Sequence, residues 1–166
     1  MATWKIVGGA TFDQDIDETS AYQEAPLGTR VQARDIDNPG YGTMEFVYAK
    51  GVGSTAAGNL VLLDSAGFTT TLTDRDATGT SIGKLAVSMS ANDVNYFGWY
   101  CIYGTVEIVS DDVADGAVLY VSATAGAVTD TSEAGDMITG AFAVADDAGG
   151  KTLSSITYPS CTNNSN

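Results

Sequence analysis

Asp13, Asp15 and Asp17, followed by Glu24, fall on positions 1, 3, 5 and 12 of a calcium-binding EF-hand loop. That spacing brings oxygen ligands together on one hard cation, but the sharp turn at the sixth position wants glycine and here carries Glu18. Neither flank is helical in pattern, so the segment reads as a solvated acidic loop. Asp74-Arg-Asp-Ala-Thr-Gly79 repeats the opening of the pattern with its glycine, yet Leu85 stands where the bidentate carboxylate belongs. It reads as a turn, and no metal site is expected.

Other chemistries meet similar gaps. Gly53-Ser-Thr-Ala-Ala-Gly58 has Walker-like glycine spacing, but Asn59-Leu60 replaces the Lys-Ser/Thr pair that must reach phosphate and magnesium. The chain contains no histidine, which removes the usual base of a serine triad, and it has no GxSxG elbow. No catalytic residue and no cofactor are expected. Glycosidase-like carboxylate pairs among the 21 acids stay open, because separation in space is not written in the sequence. Cys101 and Cys161 lack CxxC spacing for zinc or redox work. Cys101, in Trp99-Tyr-Cys-Ile-Tyr103, reads as a small buried hydrophobe and Cys161 as part of a polar tail; whether the two pair stays open.

The elements that would position these residues are short strands. Apolar runs recur at intervals of about 8 to 12 residues, broken by Gly, Asp or Asn, and helical periodicity is nearly absent. Candidate strands are Trp4 to Val7, Arg30 to Arg34, Met44 to Lys50, Leu60 to Leu63, Phe68 to Leu72, Lys84 to Met89, Phe97 to Tyr103, Thr105 to Val109, Val118 to Ser122, Met137 to Ala145 and Ser155 to Tyr158. So many runs make a barrel or sandwich. The expected fold is all-β: a compact β-barrel or β-tulip-like body over residues 41–158, an extended N-terminal arm over 1–40, and a polar tail over 159–166.

Alternation along a strand assigns faces. In Met137 to Val144 the bulky residues are Ile138, Phe142 and Val144, opposed to Thr139, Ala141 and Ala143, so the bulky set is expected in the core. Phe97 to Tyr103 is apolar on both faces, which fits a central strand or, through Tyr96, Phe97 and Trp99, a contact between subunits. Along the arm, Trp4, Ile6, Phe12 and Ile16 are isolated apolar side chains. They suit docking onto a neighbouring chain, or packing along the parent body.

With 7 Lys+Arg against 21 Asp+Glu, the formal charge is −14, and no basic cluster offsets it. Such a surface repels phosphate backbones and anionic lipids, so neither nucleic acid nor membrane is an expected partner. No apolar stretch approaches the ~20 residues of a membrane span, and Met1-Ala-Thr-Trp-Lys5 offers no secretory apolar region, so folding in the cytosol is expected. The charge favours solubility at high local concentration.

The run Gly98-Trp-Tyr-Cys-Ile-Tyr-Gly-Thr-Val-Glu-Ile-Val109 is followed by Asp115-Gly-Ala-Val-Leu-Tyr-Val121, Thr124-Ala-Gly-Ala-Val128 and Ile138-Thr-Gly-Ala-Phe-Ala143. In order and spacing these segments resemble the capsid cement, or head decoration, proteins of tailed bacteriophages. Phe12-Asp-Gln-Asp, Ala25-Pro-Leu-Gly-Thr-Arg30, Glu45-Phe-Val-Tyr-Ala-Lys-Gly-Val52 and Ala86-Val-Ser-Met-Ser-Ala91 resemble members from marine phages. The likeness runs from about Phe12 to Ala145. It implies a structural virion protein, not an enzyme, that sits on the outer capsid surface, often as a homotrimer, and bridges subunits of the major capsid protein. Trp4, Ile6, Phe12 and Ile16 would then be the capsid-docking side chains, and Tyr96, Phe97 and Trp99 the oligomer contacts. A carbohydrate- or receptor-binding β-module of a phage particle is the alternative; it requires exposed aromatic residues in a groove.

Overall fold

The structure, a computed structural model, describes residues 3–75, 83–132 and 136–161. Its strands are β1 (Trp4–Gly8), β2 (Thr19–Ser20), β3 (Arg30–Asp35), β4 (Met44–Gly51), β5 (Leu60–Asp64), β6 (Thr69–Leu72), β7 (Gly83–Ser88), β8 (Phe97–Asp111), β9 (Val118–Val121), β10 (Val128–Thr129), β11 (Met137–Ala143) and β12 (Lys151–Cys161). One 3-10 turn, Pro39–Tyr41, joins β3 to β4, and no α-helix occurs among the described residues. The fold is compact and all-β, as the spacing of apolar runs predicts. The N-terminal 40 residues join the sheet through β1, which pairs with β3, through β3, which pairs with β4, and through β2, which pairs with β8, while Pro159–Cys161 belong to β12.

All strands form one sheet, and its pairings close on themselves twice. One circuit runs β4–β6–β5–β7–β8 and back to β4; the other runs β8–β12–β11–β9–β10 and back to β8. The long strand β8 is shared by both, which leaves it few open edges. Val47, Ala49, Val61, Leu63, Ala86, Tyr100 and Ile102 form the apolar cluster of the first circuit, with Phe68 and Leu72 packed against it. Its one polar group is satisfied: the Tyr100 hydroxyl accepts from Thr70 Oγ1 at 3.0 Å and Asn92 Nδ2 at 2.7 Å. A larger cluster takes Val106, Ile108, Leu119, Val121, Val128, Ala143 and Ile156 from the second circuit. It continues through Cys101, Phe46, Tyr48 and Trp99 to the N-terminal segment.

Two glycines reshape the expected strands. Gly104 divides the apolar runs at 97–103 and 105–109, yet both belong to β8. It has φ +119°, and an added Cβ would lie 2.7 Å from Met44 Cγ, so only glycine lets β4 pass this closely. Gly140 has φ +76° and sits where the pairing of β11 with β12 slips between Thr139 and Ala141. The slip reverses the face assignment beyond it: Ala141 and Ala143 turn into the core, while Phe142 and Val144 turn out to 50% and 36% exposure. Only Ile138 of the bulky set is buried as expected.

Candidate docking surfaces

The N-terminal segment lies against its own sheet. Trp4 of β1 meets Phe46 edge-on, with centroids 5.3 Å apart, and Phe12 lies 5.8 Å from Trp99. Trp4, Ile6 and Phe12 are half-buried against the large core, and Ile16 is wholly inside it. Buried Gln14 fixes the segment: its Nε2 donates to the Glu18 and Phe97 carbonyls, each at 3.0 Å, and its Oε1 accepts from Tyr48 Oη at 2.8 Å. The Gln14 carbonyl accepts from Trp99 Nε1 at 3.3 Å, so the side chain and carbonyl of Gln14 have partners.

This packing corrects two expectations. Ile16, read as a docking side chain, and Trp99, read as an oligomer contact, have relative exposures of 1% and 0% within the single chain, so neither offers surface to a partner. Trp99 is instead a central-strand residue, tilted against Tyr48 at 4.9 Å. Tyr96 and Phe97 are half-buried, and the Phe97 ring stacks on Tyr48 at 6.3 Å with Lys50 over it at 5.9 Å. Cys161 is likewise no tail residue: it ends β12 inside the large core, opposite Ile138. Cys101 and Cys161 are both thiols, and burial raises both of their pKa values.

The loops that resembled chemical motifs have structural work. Asp15, Asp17 and Glu18 form a turn in which Glu18 N–H donates to the Asp15 carbonyl, and burial is the main cause of a raised Asp17 pKa. No group of three potential ligand side chains converges on a cation site among the described residues. Residues 76–79 of the Asp74 to Gly79 pattern lie outside the described residues. In the Walker-like loop Asn59 Oδ1 accepts from Ala56 N–H at 2.6 Å, closing a turn.

Three carboxylates line a cavity of about 250 Å3 beside Trp4, Tyr41 and Lys151: Asp17, Asp35 and Glu107. Asp35 is committed to the turn after β3, accepting from Asp37 N–H at 2.9 Å and from Asn38 N–H and Nδ2–H at 3.3 and 2.8 Å. Glu107 faces Lys151 at 4.0 Å. The buried Trp4 indole N–H has no partner.

The surface that the sequence reading missed is on the outside of the second circuit. Val118 on β9 pairs directly with Phe142 on β11, and Met137 pairs with Tyr120, placing Val118, Met137 and Phe142 outward at 49%, 40% and 50% exposure. Val144 N–H bonds to the Leu153 carbonyl of β12 and extends the same apolar strip. A glycine inside an apolar strand run was the available signal, since it marks a bulge and hence a change of face. No protein family, curated protein or solved structure matches the chain.

Proposed function

We propose that this chain is a capsid decoration protein of the tailed-phage type, which binds the outer surface of the head and braces neighbouring subunits of the major capsid protein. The observation that carries the reading is the outward strip Val118, Met137, Phe142 and Val144 on a chain of charge −14. A strand that turns a phenylalanine outward while alanines fill the core keeps an apolar face for contact. The order of the sequence segments from Phe12 to Ala145 supports the same reading.

Magnitudes favour attachment as an oligomer. Burying the exposed halves of the four side chains contributes roughly 1 kcal/mol each, on the order of 4 kcal/mol together, which corresponds to only about millimolar affinity before association costs. A homotrimer multiplies the contacts without new chemistry. Trp4 and Ile6 on β1, and Phe12 after it, keep partial exposure and extend the contact.

The test is co-sedimentation of the recombinant protein with expanded, empty heads of the phage that encodes it. Wild type is expected to saturate the shells, and Phe142→Ser/Val118→Ser to lose at least about tenfold in affinity with an unchanged melting temperature. Equal binding by wild type and variant would refute the strip as the docking face, and absence of wild-type binding would refute the function. The second reading, a carbohydrate- or receptor-binding module, draws on the cavity where Trp4, Tyr41 and three carboxylates meet. Glycan-array binding abolished by Trp4→Ala, with no shell binding, would select it.

A further inference from the structure

The first circuit is not filled to its end. At the end where Val47, Leu63 and Ile102 lie, a cavity of about 310 Å3 opens between β4, β5, β7 and β8. Those three side chains are buried, Phe68 beside them is half-buried, and Arg30 and Lys84 stand exposed at the margin. Openings of small closed β-structures are recurrent ligand sites, and pockets of roughly 300 Å3 and upward hold small organic molecules.

Charge narrows the ligand. The chain has 7 cationic side chains against 21 acids, yet two of the 7 line this one cavity and, among the described residues, no carboxylate lines it. Arg30 is already engaged, 3.2 Å from Glu45 Oε1 and 5.9 Å from the Tyr158 ring centroid, and Tyr158 in turn donates to Glu45. Lys84 has no ion-pair partner among the described residues and is exposed beside an apolar floor. An uncommitted ammonium next to dry aliphatic and aromatic surface suits a molecule that joins an anion to an apolar body.

We propose that this mouth binds a small apolar carboxylate, with its ring or branched chain seated on Val47, Leu63, Ile102 and Phe68 and its carboxylate on the Lys84 ammonium. The same chemistry is presented by a free organic acid and by the carboxyl end of a peptide that finishes in an apolar residue. The site is separate from the strip on β9 and β11 and does not depend on capsid attachment.

Methyl-labelled protein titrated with sodium 2-naphthoate tests this by NMR. Saturable shifts are expected at the Val47, Leu63 and Ile102 methyls, with Val118 and Val144 unmoved. Lys84→Glu, an exposed substitution whose remaining spectrum verifies its fold, should weaken naphthoate about tenfold and admit 2-naphthylmethylammonium instead. Acetyl-Gly-Gly-Phe with a free carboxylate separates the two sources: tighter binding than naphthoate assigns the site to a chain end, and weaker binding to a free acid, both within the proposal. Naphthoate shifts spread equally over Val118 and Val144, no shifts at the mouth, or unchanged affinity in Lys84→Glu would overturn it.

Discussion

Burial pushes the Cys101 thiol up to about 12, with desolvation the largest cause. The nearby Glu45 charge adds to it, and a backbone hydrogen bond at Tyr103 works against it. A thiol in this state is neither nucleophile nor metal ligand, so the residue contributes packing. Because its pKa is raised in the folded chain, the stability tied to the neutral thiol is fully present below its ordinary value of 9.0 and is lost as pH rises toward about 12. The displacement corresponds to on the order of 4 kcal/mol. Urea unfolding measured across this window should show a falling free energy in wild type and a flatter curve in Cys101→Ala. Part of the fall will persist in the variant, since burial also raises the buried tyrosines Tyr48 and Tyr100. Identical curves for wild type and variant would show that the thiol is not held in a dry site.

One backbone irregularity decides which face of β11 meets solvent. With φ +76° at Gly140, an added Cβ would lie 2.5 Å from the Thr157 carbonyl oxygen, a clash with backbone that no side-chain rotation relieves. Gly140→Ala should therefore cost roughly 2 kcal/mol or more and speed amide exchange across the β11–β12 pairing, measured by unfolding and by hydrogen exchange. Without the bulge, the register would return Phe142 to the core side and put alanines outside. The sequence carries this event only as a glycine among apolar residues, which is why strand positions are legible in it and the outward face is not. Met137 to Thr139 obey period-two alternation, Phe142 and Val144 lie beyond the extra residue and face the other way, and alternation has no term for a bulge. Gly104 misleads in the opposite direction, since a glycine that looks like a turn is a close approach to Met44 inside one continuous strand. β2 and β10 each have two residues, too few for any periodicity to register. For Trp99, apolar neighbours on both faces fit a central strand and a subunit contact alike, and only its packing against Tyr48 and Phe12 decides for the central strand. Ile16 was not legible: its burial depends on the loop around Gln14 docking onto β8, a contact between residues more than eighty positions apart.

At the scale of the molecule, the net charge of −14 and the apolar strip would make opposite demands on the proposed attachment to a crowded shell. Copies seated close together repel one another, and that repulsion is screened over about 10 Å at 0.1 M ionic strength and about 3 Å at 1 M. The strip around Phe142 has no charge to lose, and apolar contact does not weaken as salt screens the surface. If attachment runs through this face, occupancy of empty heads should rise with ionic strength until the shell is full. Attachment through ion pairs would instead weaken as salt is added, because each pair loses its attraction together with the repulsion between neighbours. Co-sedimentation over a salt series, scored as copies per shell, separates the two slopes. A falling slope would move the docking face away from Val118, Met137, Phe142 and Val144 and toward the cationic margin of Lys5, Arg30 and Arg34 on β1 and β3. The same series with Phe142→Ser should lower occupancy at every salt concentration, since the deleted contact is apolar and only the spacing between copies responds to ions.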